Sequence, residues 1–231
     1  MNKQRVLVLT GTTDINRNPS ETDNTMEEVF DLTLPSKQRY AKKHGYDLLA
    51  IRNFGVDTRY GFKSTEIGFL RALRTFELLS SYDIVMWIDA DSLITNDNMN
   101  IRDFGLESNF TFYASYDWYG KTSFSAGNFI VQNTNNTSDF LNAFYSIAKH
   151  FPEEQATLNA LYFNTSYKNI MKILEHRYLG AAPSVEMYAE QWVGRRPIVA
   201  PWTEDAFLVH ITGIPNYARL NILKKHFSKH L

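Results

Sequence analysis

The sequence predicts an α/β protein, a single domain with a mostly parallel central sheet flanked by helices. Three observations carry this. Strand-like and helix-like segments alternate through residues 1–95 as strand, helix, strand, helix, strand, the pattern of a parallel sheet covered on both faces. The run Ile84 to Ile88 is apolar without interruption, as expected of a strand buried on both sides. The 231 residues are 44% hydrophobic and 14% aromatic, enough to fill one sizeable core.

Arg5 to Thr10 is a short β-rich run that stops at the small-residue loop Thr10-Gly11-Thr12-Thr13, where backbone can approach a nucleotide. Residues 14–24 are polar, with an Asn18-Pro19 turn signal, and read as a loop able to cover a site. Glu27 to His44 has helical spacing despite Pro35, and Gly45 is a stop signal. A strand follows from Tyr46 to Arg52, then a Gly-, Arg- and Tyr-rich loop from Asn53 to Gly61. A helix from Ser64 to Leu79 places Ile67, Leu70, Leu73, Phe76 and Leu79 on one face. It feeds the central strand.

Beyond that strand, Met99 to Leu106 reads as an irregular connection, Thr111 to Ser115 as a strand and Asp117-Trp118-Tyr119-Gly120 as an aromatic loop. Ser125 to Asn133 is a small-residue approach to an apolar strand, followed by a helix from Ser138 to His150. Pro152 and the acids Glu153 and Glu154 open a further helix through Leu161, with negative charge where the helix dipole favours it. Tyr167 to Trp202 mixes helical and loop signals. Phe207 to Ile211 is a last strand ending in Thr212-Gly213, and Arg219 to Leu231 a basic helix with Leu220, Leu223 and Phe227 at core spacing.

A net charge of −1 supplies no global field for nucleic acid or anionic membrane. The absence of cysteine excludes disulfides and thiolate metal sites, leaving oxygen and imidazole as ligands. No run reaches transmembrane length and none at the amino terminus has a signal-peptide core, so a soluble, cytoplasmic protein is expected, in which the sequons at Asn109, Asn135, Asn136 and Asn164 carry no meaning.

The chemistry concentrates where the central strand ends, at Asp89-Ala90-Asp91. Carboxylates at positions i and i+2 leaving a strand project to one side, and the carboxyl edge of a parallel sheet is where ligands bind. Both acids can therefore converge on one hard cation. A turn or a helix cap is the plain alternative for an isolated Asp-x-Asp.

Val85-Met-Trp-Ile-Asp-Ala-Asp-Ser-Leu-Ile94 resembles the Trp-Leu-Asp-x-Asp signature of GT-A glycosyltransferases, most nearly the Golgi galactosyl-, xylosyl- and mannosyltransferases. Phe62-Lys63 resembles the lead into that family's preceding helix, and Ser125 to Asn133 its Asn-Thr-Gly-x-Phe-Leu-Ile-Arg-Asn segment, with Ser125 in place of the first Asn. Glu154-Gln155 resembles its Asp-Gln at a helix start, and Val209-His-Ile-Thr-Gly213 its Val-His-Phe-x-Gly. Small GT-A enzymes of large DNA viruses are similar in size and build.

The resemblance implies a single GT-A, Rossmann-like domain over 1–231, with a nucleotide-binding half (1–95) and an acceptor-binding half (96–231). It implies transfer of a sugar from a UDP- or GDP-sugar to a glycan or other hydroxyl acceptor, with retention. Asp91 and His210 would ligate Mn²⁺, or Mg²⁺, directly, and Asp89 would do so through water or would hold the ribose. Thr10, Gly11, Thr12, Lys63, Asp89, Ala90, Ser125, Gly127 and Gly213 would surround the donor, and Glu154 and Gln155 its sugar. Asp117, Trp118 and Tyr119 would meet the acceptor, aromatic faces against sugar C–H surfaces. Glu154 or Asp117 would instead be a base if the reaction inverts.

Two other classes compete. Haloacid-dehalogenase-like phosphatases also place Asp-x-Asp after an apolar strand, but this chain lacks their following Thr, and Glu204-Asp205 is the sole late acidic pair. A non-catalytic carbohydrate-binding module could draw on 13 Tyr and 4 Trp for a sugar groove. Only the transferase predicts binding of nucleotide together with metal.

Overall fold

The computed structural model of the chain describes residues 4–12, 25–52, 67–117, 123–191 and 201–231. Lys63, Trp118, Tyr119 and the loops expected over residues 14–24 and 53–61 lie outside them.

The first half has the expected alternation: β1 (Val6–Gly11), α1 (Met26–His44), β2 (Asp47–Ile51), α2 (Ile67–Leu78) and β3 (Ile84–Asp89). Thr25 caps α1 by accepting a hydrogen bond from Glu28 N at 3.3 Å. Gly45 ends it at φ 66°, in the left-handed region that favours glycine, with its N–H returned to Ala41 O and Lys42 O.

After β3 the chain makes a tight turn at Ala90-Asp91 into β4 (Ser92–Ile94), a short 3-10 helix (Ile101–Phe104), then β5 (Phe112–Tyr116) and β6 (Phe124–Gln132). Residues 117–123 are too few for a parallel crossover, so β5 and β6 pair antiparallel. Next come α3 (Thr137–Ala148), α4 (Glu154–Asn164), β7 (Met171–Leu174), α5 (His176–Leu179), α6 (Val185–Gln191), β8 (Leu208–His210) and α7 (Asn216–His226).

The main sheet has the order β2-β1-β3-β6-β5-β7, and only β6 runs against the other five strands. A two-stranded antiparallel sheet, β4 with β8, sits beside it.

Period-two alternation divides the strand side chains between two cores. Leu7, Leu9, Val85, Trp87, Phe129 and Val131 pack with Phe69, Leu73 and Phe76 of α2 and Phe140 and Phe144 of α3. Val6, Val8, Ile84, Met86 and Ile130 pack on the other face with Tyr40 and Ala41 of α1. A third cluster joins Leu93 and Val209 of the small sheet to Leu220, Leu223 and Phe227, the residues expected at core spacing in the last helix. No helix among the described residues is long and apolar enough to cross a membrane.

Candidate metal and donor site

Thr10 and Gly11, expected in a loop, are the last two residues of β1, and the parallel pairing of β1 with β3 sets Gly11 beside Asp89, so the end of β1 and the acidic turn share one carboxyl edge of the sheet. β4 and β8 complete the cluster from the side, because their register places Ser92 opposite His210. One ligand atom each from Asp89, Asp91 and His210 lies within 4.8 Å of the others. His210 Nε2 is 3.2 Å from Asp91 Oδ1 and 3.7 Å from Asp89 Oδ2. It is sealed from solvent yet, among the described residues, makes no well-directed hydrogen bond. A buried nitrogen facing two carboxylates without a hydrogen bond, in a set of oxygen and imidazole donors, fits a divalent cation.

Each carboxylate has a different electrostatic setting. Burial would push the Asp91 carboxyl up, but His210, Arg219 and Lys37 together hold it down at about 2. Arg219 Nε, from α7, sits 3.2 Å from Asp91 Oδ2. Burial raises Asp89, with Arg71 opposing the shift. Arg71 Nη1, from α2, contacts both Asp89 oxygens at 2.6 and 2.7 Å, and Trp87 Nε1 donates to Oδ1 at 2.6 Å. For His210, burial alone would lower the pKa, and the adjoining aspartates raise it.

Arg71 also reaches Glu154, donating through Nε at 2.9 Å and pairing through Nη2. Glu154 is buried at the start of α4, beneath Gly68 of α2. Gln155 accepts from Ala126 N at 3.0 Å and offers Nε2 to Asp117 Oδ2 at 3.4 Å, tying α4 to β6 and to the end of β5. Half-buried Ser125 accepts from Gly127 N at 3.2 Å. Gly127 leaves room for the imidazole, since a Cβ there would lie 2.9 Å from His210 Nε2 and 3.0 Å from Asp89 Oδ2.

Thr10 and Thr12 are buried at the carboxyl end of β1, with hydroxyls that find no partner among the described residues. Gly213 lies beyond β8 in an exposed turn at φ 75°, which by itself favours glycine. Glu204 and Asp205 are on the surface, paired with Lys229 at 2.7 Å and with Arg177 at 3.6 Å, and do not extend the cluster.

Four residues that matter here are not singled out by the sequence reading: Lys37, Arg71, Asn128 and Arg219. Asn128 is fully buried, accepts from Asp89 N at 3.1 Å and donates to Leu179 O, pinning the backbone of the first aspartate. Lys37 has a readable signal, since it falls at helical spacing among buried Phe30, Thr33 and Tyr40, where a solvated lysine has no place.

Residues 38–226 match the family described as "Protein of unknown function, DUF273". No curated protein matches the chain. Among solved structures, a glycosyltransferase involved in glycosylation of the major capsid of PBCV-1 superposes with TM-score 0.61 at 16% identity, covering 95% of this chain and 98% of that one. The galactosyltransferase LgtC, solved with donor and acceptor sugar analogs, gives 0.54 at 12% identity over 97% and 100%. Mouse xyloside xylosyltransferase 1 gives 0.51 at 10% identity over 90% and 98%. At such identities the likeness establishes the fold, which is that of GT-A glycosyltransferases.

Proposed function

The chain belongs to the DUF273 family, a membership that assigns no chemistry, and we propose that it is a metal-dependent glycosyltransferase using a nucleotide-diphosphate sugar. The observation that carries this is the convergence of Asp89, Asp91 and His210 at the carboxyl edge of a GT-A sheet, beside the unpartnered hydroxyls of Thr10 and Thr12.

In this reading Asp91 and His210 hold the cation directly, and Asp89, already engaged by Arg71 and Trp87, holds it more loosely or through water. A bound Mn²⁺ or Mg²⁺ supplies a Lewis acid that neutralises the departing diphosphate, and the mixed oxygen and nitrogen set favours Mn²⁺. The end of β1, Thr10 to Thr12, takes the nucleotide, with Lys63 near phosphate. Ser125, Gly127 and Gly213 border the donor. Arg71, Glu154 and Gln155 form a hydrogen-bonding wall for the donor sugar. Asp117, Trp118 and Tyr119 receive the acceptor hydroxyl. Residues 1–95 thus bind chiefly nucleotide and 96–231 chiefly acceptor, with His210 crossing over from the second half.

Support for retention comes from Glu154. Buried and clasped by Arg71, it is poorly placed to take a proton from an incoming hydroxyl. The test is a thermal-shift screen of UDP and GDP with and without Mn²⁺, followed by product-anomer NMR with the matching sugar nucleotides. Metal-dependent stabilisation by one nucleotide is expected. Sugar binding without nucleotide or metal would instead identify a carbohydrate-binding module.

A further inference from the structure

The acidic turn is braced from behind by α1. Ser36 Oγ accepts from Ile94 N at 3.2 Å, and Thr33 Oγ1 donates to Ala90 O at 2.6 Å, the carbonyl between the two aspartates. Thr33 has a single hydroxyl proton, and Phe30 O, within the same helix, competes for it at 3.2 Å. Lys37 stands one helical turn further on, its Nζ 2.9 Å from Thr33 Oγ1, and it can only donate to that oxygen when charged. Its donation occupies a lone pair of the hydroxyl and turns the proton away from Nζ. Among the described residues Thr33 is its one hydrogen-bond partner, and Lys37 has no exposed surface. Burial draws its pKa down to about 7 against the pull of Asp91 and Asp89. A sealed lysine is an expensive way to fill space, and a methionine of the same length would fill it at lower cost, so packing does not account for the residue.

We propose that Lys37 is a positioning residue of the cation site: by donating to Thr33 Oγ1 it directs the Thr33 proton onto Ala90 O, and so fixes the peptide that carries Asp89 and Asp91 toward His210. The proposal rests on the reading of those three residues as cation ligands. Lys37 touches neither cation nor donor and acts only through Thr33 and the Ala90 carbonyl.

The full chain is titrated calorimetrically with Mn²⁺ in the presence of UDP, and separately of GDP, as wild type, Lys37→Met, Thr33→Val and Thr33→Ser. Removing a positive charge from behind two carboxylates can, by Coulomb attraction alone, only tighten cation binding or leave it unchanged. Weakening is therefore the signature of lost positioning. Lys37→Met and Thr33→Val are each expected to weaken Mn²⁺ binding about tenfold, with the double variant no weaker than either, because both break one chain of hydrogen bonds. Thr33→Ser keeps the hydroxyl and is expected to bind as wild type. A folded Lys37→Met that binds Mn²⁺ as tightly as wild type overturns the positioning role and leaves the cation site standing. If Lys37→Met does not fold, the Thr33 pair decides: equal affinity in Val and Ser overturns the proposal. A wild type that binds no Mn²⁺ with either nucleotide overturns the cation site and the positioning role together.

Discussion

Substituting Gly68 by alanine sets two effects of opposite sign against each other. On helix propensity alone, an alanine in α2 should add up to about 1 kcal/mol of stability. The structure opposes this, because an added Cβ would overlap the Glu154 carboxylate and lie only 2.8 Å even from its farther oxygen Oε1. Glu154 cannot swing aside freely, being buried and bound to Arg71. Breaking a buried ion pair costs roughly 3–5 kcal/mol, the lower end applying where one partner keeps a second contact, as Arg71 keeps Asp89. The net is a loss of about 2–3 kcal/mol. In a chain of this size that corresponds to a fall in Tm of roughly 4–12 °C. Thermal unfolding followed by circular dichroism measures it, in wild type and again in a Glu154→Ala background, where the obstruction is gone and Gly68→Ala should be neutral or stabilising. A higher Tm in the single variant, or the same loss in both backgrounds, would refute the placement of Glu154 under α2.

Asp91→Asn is expected to abolish Mn²⁺-dependent nucleotide binding; turnover surviving the change would remove Asp91 from the site. Gly127→Ala should push the His210 ring off the cluster and weaken Mn²⁺ binding by at least about tenfold, some 1.4 kcal/mol, with a calorimetric affinity equal to wild type counting against the geometry. The Lys37 pKa lies near 7 in the folded chain, below its ordinary 10.5, so the folded state sheds this proton where the unfolded chain keeps it. Its contribution to stability is complete above the unfolded value and is lost as pH falls through about 7. Urea unfolding from pH 6 to 10 should therefore show any stability advantage of Lys37→Met shrinking as pH rises, by up to roughly 4 kcal/mol; parallel pH profiles would contradict the burial of a titrating amine.

Much of the architecture is legible in the sequence because it is written in local terms. The apolar run of β3, the capped helix ending at Gly45 and the alternation of elements through residue 95 each follow from periodicity and turn chemistry. The segment from Tyr167 to Trp202 is not, and β7 is the reason. It is a four-residue strand paired, among the described residues, with β5 alone, and its buried positions, Met171 and Leu174, do not alternate. Of the site, the Asp-Asp-His cluster is visible as motif. Arg71 is not, since an arginine in a mostly apolar helix reads as its solvated face until α4 is known to bring Glu154 across from 83 positions away. Arg219 sits within the basic stretch expected for the last helix, yet its guanidinium turns inward to Asp91, a contact that depends on where α7 docks.

The pairing of β4 with β8 brings together partners far apart along the polypeptide, with Ser92 set opposite His210. A ribosome that has released only residues 1–205 would already have delivered every strand of the main sheet, but no imidazole for the two aspartates. Cation capture would then be among the last properties acquired during synthesis, and metal uptake by a nascent or truncated chain would report whether β8 has arrived.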